Sequence, residues 1–306
     1  MSRHTVEQLT SLRAPILIMI ATVGLAMLIG GAASPALAAP TGPYAVFAQC
    51  PTEIPSVTVC TFSQTTSGEV AIGNTKVPIT KTVTLQGGGV RIARNTYALL
   101  PAKNGESLSK TELNVPGGLL DLVNCQEIKG SGIFELIERG SCEAIFENQS
   151  STGVTATTEL VANTSNPAIL NLESILAGTG TVLTLPVRVH LKNPLLGEGC
   201  YIGSEAHPIE LRLTTGTTSP PPPNKPIAGS PGTFGLEEEV IVAANSTLVD
   251  NAFSAPVAEG CGGFFSFLID PVVDAKLGLE SPAGHNTAIL TGTQKIAPAE
   301  EVLKSE

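Results

Sequence analysis

Tryptophan is absent from this chain, and its 306 residues hold only 3 tyrosines (Tyr44, Tyr97, Tyr201) and 9 phenylalanines. That scarcity argues against a carbohydrate-binding face, which needs flat aromatic platforms, and against a transmembrane β-barrel, whose strands carry aromatic girdles. Charge is scarce too: charged residues make up 14% of the chain, against about 25% in ordinary globular domains. Acidic residues outnumber basic ones, 27 to 17, for a formal net charge of −10. With no basic cluster to overcome that repulsion, nucleic acid is excluded as a partner. Signature motifs are missing as well. No Gly-x-Ser-x-Gly elbow, no Cys-x-x-Cys or Cys–His zinc spacing and no Asp-x-Asp-x-Asp-Gly calcium loop occurs. The expected catalytic, cofactor and metal sites are therefore none.

What is present begins at the N-terminus. Arg3, His4 and Arg13, interrupted by Glu7, precede an apolar run from Ala14 to Ala33. Ala36 and Ala38 then fit the small-residue cleavage pattern, which reads as a signal peptide over residues 1–38 with Ala39 as the first mature residue. An uncleaved anchor is the rival reading, since about 20 apolar residues can span a bilayer. Gly24, Gly30 and Gly31 dilute that run. Membrane contact is expected only through this segment, with the rest secreted or part of the cell envelope.

All six cysteines, Cys50, Cys60, Cys125, Cys142, Cys200 and Cys261, lie beyond it. An even count in an oxidising compartment reads as a disulfide framework. Short loops close most easily, which favours Cys50–Cys60, Cys125–Cys142 and Cys200–Cys261. Buried free thiols are the alternative.

Alternation of apolar and polar residues predicts strands over Ile54–Phe62, Lys76–Leu85, Val154–Val161, Thr181–Leu191 and Thr287–Thr293. Turns are expected at Ser67-Gly68 and Gly73-Asn74, and a strand end at Gly87-Gly88-Gly89. A hairpin is expected over Gly132–Phe146. Ala168–Leu176 suits a strand or a helix equally, and Pro186 argues for an edge position or a bulge. The organisation reads as a β-rich region over 39–213, a Thr/Pro-rich loop or linker over 214–232, and a C-terminal β-rich region over 233–306. Asp270 as cap, Pro271 at the first helical position and Gly278 past the end predict a two-turn helix packing Val272, Val273 and Leu277. Phe264, Phe265 and Phe267 read as core beside that helix. The tail from Ala299 to Glu306 reads as frayed. The expected fold is mainly β: a disulfide-tied β-sandwich-like fold with one or two short helices.

Four phrases carry a resemblance: Ala45-Val-Phe-Ala-Gln-Cys-Pro51, Pro194-Leu-Leu-Gly-Glu-Gly-Cys-Tyr-Ile-Gly203, the stretch Thr214–Asn224, and Ser281-Pro-Ala-Gly-His-Asn-Thr-Ala-Ile-Leu290. Together they resemble an uncharacterised group of secreted actinobacterial proteins. The resemblance implies export and one recurring unit, and brings no activity, cofactor or binding residue.

Three histidines follow the signal segment. His190 sits at a polar-side position of its strand and reads as a solvated face. His207, before Pro208, and His285, after Gly284 and near Ser281, read as turn residues. Asp270 and Asp274 share a helix face, where a cap and a first-turn acid explain them. Glu237-Glu238-Glu239 reads as solvated surface. The expected function is that of a secreted or envelope-associated non-enzymatic protein acting through surface contacts. The alternative is a secreted hydrolase with a loop-assembled site.

Overall fold

Alternating β-branched sequence builds one long antiparallel sheet. A computed structural model describes residues 39–118 and 153–306. The signal segment, the expected Cys125–Cys142 bridge and the hairpin expected over Gly132–Phe146 lie outside them. The strands are β1 (Val57–Ile72), β2 (Thr75–Pro78), β3 (Val83–Ala93), β4 (Thr96–Leu100), β5 (Leu113–Val115), β6 (Val154–Leu160), β7 (Ile169–Asn171), β8 (Leu183–Lys192), β9 (Tyr201–Ile202), β10 (Ile209–Leu213), β11 (Thr233–Glu237), β12 (Val240–Asp250), β13 (Ala258–Glu259) and β14 (Thr287–Pro298). Among the described residues the helices are few and short: α1 (Leu172–Ala177), α2 (Ser266–Leu277) and α3 (Ala299–Lys304).

The main path runs β11-β12-β14-β1-β3-β4-β7-β8-β6-β5. Two strands act as hubs. β1 lies between β14 and β3 and also pairs β2. β8 pairs β10 and β7 along its first half, and β6 and β9 along its second. The sheet folds back on itself, so that Val70, Ile72 and Val77 of β1 and β2 share an apolar cleft of about 60 Å³ with Val115, Ala156 and Val189 of β5, β6 and β8. This is the β-sandwich-like arrangement that half-buried alternating strands require. One core fills it, and a second gathers Tyr44, Phe47, Val57, Val240 and Val302. Cys50–Cys60 is formed in the second core and Cys200–Cys261 in the first.

Several local expectations are corrected. Gly87-Gly88-Gly89 does not end a strand: β3 passes straight through it. A Cβ on Gly88 would lie 2.8 Å from Val57 Cγ1, and one on Gly89 2.7 Å from Val59 Cγ2. The glycines are there for close approach, not for a turn. Ser67-Gly68 is likewise no turn but follows a bulge inside β1, where the register to β14 shifts between Thr65 and Ser67. The strand expected over Lys76–Leu85 divides at Pro78, and Ile79 instead donates its N–H to Gly68 O at 2.9 Å.

Pro186 needs neither an edge nor a bulge. Its carbonyl accepts from Val161 N at 3.0 Å, and in a strand the N side of a residue faces the same way as its carbonyl. The missing donor thus faces the junction where β6 ends and β7 begins. Ala168–Leu176 is both things at once, with β7 leading into α1, whose cap is Asn171 Oδ1 accepting from Ser174 N at 3.1 Å. The C-terminal tail is not frayed. α3 buries Ala299 and Val302 in the second core, and Glu306 reaches Lys103 Nζ at 3.4 Å.

The Thr/Pro-rich stretch is pinned along its length. Thr214 exchanges backbone hydrogen bonds with Val249 (3.0 and 2.8 Å). Asn224 Nδ2 donates to the carbonyls of Asn251 (2.9 Å) and Asn286 (2.8 Å). Prolines that cannot pack a core are held here by the amides beside them.

Candidate functional site

The segment between β13 and α2 is unusual in its exposure. After β13 the chain reverses through Gly260 and Gly262, both at positive φ (76° and 78°), a region that disfavours any side chain. Cys261 between them is bridged to Cys200, and Gly262 N donates to Leu196 O at 2.6 Å. A 3₁₀ turn over Gly263–Phe265 then leads into α2. From inside α2, Asp270 reaches back to accept from Cys261 N (2.7 Å) and Gly260 N (3.2 Å), and Asp274 accepts from Ala258 N at 2.7 Å. The turn is thus clamped from both sides.

On this rigid base Phe264, Phe265, Phe267 and Leu268 are 88%, 57%, 68% and 56% exposed. The rings of Phe264 and Phe265 meet edge to face with centroids 5.5 Å apart. Between Gly262 and Ile269 no side chain is charged. The expectation that these phenylalanines are core is therefore overturned. The reason lies in helix geometry. α2 begins at Ser266, four residues before the expected cap, and its inward stripe is Ile269, Val273 and Leu277, spaced by four. Phe264, Phe265, Phe267 and Leu268 precede that stripe and stay more than half exposed. Val272 falls outside it and is exposed. Asp270 and Asp274 do not serve the helix dipole; they tie the helix to the preceding loop. Burial first, and then the Asp270 charge, pushes the Asp274 carboxyl above its ordinary value.

The histidines divide differently from expectation. His207 and His285 lie exposed in turns, where His207 N donates to Ser204 Oγ at 3.1 Å. Ser281, near His285, is buried and donates to Asn286 Oδ1 at 2.7 Å, a structural bond. His190, by contrast, is not on a solvated face: it is only 6% exposed. Its ring stacks on Tyr201 of β9 at 4.3 Å, and its Nδ1 lies 3.7 Å from Glu159 Oε1. Arg188 bonds Glu159 Oε2 through Nε and a terminal nitrogen (2.9 and 2.8 Å), with its guanidinium 4.2 Å above the Tyr201 ring. Alternation assigned His190 to the correct face but could not foresee that β9 would lay a ring across it. A carboxylate at Nδ1 is how a general base is oriented. Here, however, His190 Nε2 and the facing Thr157 Oγ1 are both buried without a partner, and neither is bonded to the other.

A polar cleft of about 340 Å³ lies against Glu210, Arg212, Asp250 and Ser254. Its most buried group, Asp250, accepts from Arg212 N (2.7 Å) and Ala252 N (2.9 Å), and burial pushes its carboxyl up. Arg212 pairs with Glu210 at 2.8 Å, so the cleft's charges answer one another. Among the described residues no three acidic, histidine or cysteine side chains converge to hold a metal, and no helix is long and apolar enough to cross a membrane.

No protein-family model matches the chain, and no curated protein or solved structure is similar to it.

Proposed function

We propose that this is an exported protein, cleaved near Ala39, that acts without catalysis outside the cytoplasm or at the cell envelope. Its working part is the contact surface formed by Phe264, Phe265, Phe267 and Leu268. The observation that carries this reading is the exposure of four large apolar side chains on a turn clamped by a disulfide and two aspartates. Exposed apolar patches of a few hundred Å² commonly mark interaction sites, and a rigid base spares such a site the cost of ordering on binding. Two buried bridges are compatible with an oxidising compartment, and the resemblance to secreted proteins supports the same address. The exposed His207 and His285 in turns, and the enclosed His190, support a role without catalysis.

The test is the double variant Phe264→Ser, Phe267→Ser in the full chain. Because both side chains face water, its unfolding free energy stays within about 0.5 kcal/mol of the parent. Sedimentation with envelope from the producing cells falls several-fold. A folded variant that sediments as well as the parent overturns the assignment of this surface.

A further inference from the structure

We infer that the surface formed by Phe264, Phe265, Phe267 and Leu268 takes the interfacial region of a lipid bilayer with zwitterionic headgroups; this rests on the contact reading above. Area is the first argument. At ~150–250 Å² for each aromatic side chain, the four residues expose roughly 500 Å² in all. A stable dimer or heteromeric interface needs roughly 800 Å² from each partner, so this surface alone is too small for a second copy.

Chemistry is the second argument. Protein interfaces ring their apolar anchors with polar groups that hydrogen-bond across the contact. Between Gly262 and Ile269, Ser266 is the only polar side chain, which suits a partner that asks for apolarity alone. Hydrocarbon disfavours unpaired peptide groups, and around the tip Gly263 N donates to Gly260 O and Phe265 N to Gly262 O, with α2 following at once, which limits their number. Charge then selects the surface. Exposed Glu259 lies just before the turn, Asp270 and Asp274 lie behind it, and the chain carries −10 overall. Anionic headgroups are repelled, and binding is of the reversible kind that one shallow apolar anchor supports.

The chain has no tryptophan, so Phe264→Trp introduces a single fluorescent reporter at the tip. In buffer its emission is that of an indole in water. With phosphatidylcholine vesicles the emission moves to shorter wavelength and is quenched when the lipid carries bromine in its acyl chains. Adding Phe265→Ser and Phe267→Ser weakens the partitioning roughly tenfold or more, and anionic lipid in the vesicles weakens it further. Leu236→Trp, at an exposed site on β11, stays water-like throughout, which separates insertion of this tip from any general adsorption. A position-264 indole that ignores vesicles but shifts with protein concentration overturns the lipid assignment in favour of a second copy and leaves the contact reading standing. An indole that stays in water with vesicles and at every concentration also overturns it. The contact reading falls as well only if the serine variant still sediments fully with envelope.

Discussion

Removing the Cys200–Cys261 bridge should cost more than removing Cys50–Cys60, although the two look alike locally. Each pair is almost wholly buried in a hydrophobic core, so replacing both cysteines by alanine removes similar packing in either case. What differs is the loop each closes, with sequence separations of 61 and 10. The chain-entropy relation then assigns about 4.3 kcal/mol to the longer loop and about 2.7 kcal/mol to the shorter. At about 2–4 °C per kcal/mol for a domain of this size, the Cys200→Ala, Cys261→Ala variant should melt roughly 9–17 °C below the parent. The larger loop encloses β10, β11 and β12 together with the Thr/Pro-rich stretch, so its freedom in the unfolded chain is considerable. Urea unfolding under non-reducing conditions, run in parallel on both double variants, measures the gap. Cys261 also adjoins Gly262 at the base of the exposed turn, so the same variant should bind envelope more weakly than Cys50→Ala, Cys60→Ala. Equal losses of stability, or a greater loss from Cys50–Cys60, would refute the reasoning.

Two further outcomes follow from particular positions. Gly88→Ala should destabilise by about 1–3 kcal/mol, as overpacking does, because its Cβ meets Val57 Cγ1 at 2.8 Å and Pro51 at 3.0 Å. Gly235→Ala, with nothing within 4 Å of its added carbon, should stay within about 0.5 kcal/mol; similar urea midpoints for the two variants would contradict the close-approach account. Asp250 carries a carboxyl pushed above its ordinary 3.8 by burial, so the folded protein holds this proton more tightly than the unfolded chain. That contribution is fully present below the ordinary value and is lost as pH rises through the folded one. The stability deficit of Asp250→Asn relative to the parent should therefore shrink as pH rises above the ordinary 3.8, and parallel stability curves on that side would count against the burial argument.

How far the fold was legible follows from which forces are local. Strands β6, β8 and β14 were visible because side-chain alternation is a property of the strand itself. The class, a mainly β fold tied by disulfides, follows from the same alternation together with the cysteines. Glycine is not legible locally where its role is tertiary. Gly87-Gly88-Gly89 has the composition of a turn, yet Gly88 and Gly89 are required by Val57 and Val59 on the neighbouring strand, and no local pattern reveals how closely two strands approach. Pro186 departs from its local expectation for the same reason. Whether a missing N–H matters depends on which strand ends beside it.

The exposed turn was illegible for a reason that can be stated in terms of energy. Burying a phenylalanine is favourable by about 1.5–3 kcal/mol, so a cluster of three reads as core unless something forbids it. What forbids it is register. Ile269, Val273 and Leu277 already occupy the one stripe of α2 that faces the sheet, and Asp270 and Asp274 hold that stripe in place by binding the backbone at Cys261 and Ala258. Rotating the helix to bury Phe267 or Leu268 would drag both carboxylates off their N–H partners and turn Val273 and Leu277 out into water. One sequence signal could have pointed this way. Read at intervals of four, Leu277, Val273 and Ile269 form a stripe that reaches back to Phe265, which lies ahead of the first helical residue, and Phe264, Phe267 and Leu268 all fall off it. An apolar residue that the helix's own periodicity leaves without a place inside must find its partner elsewhere.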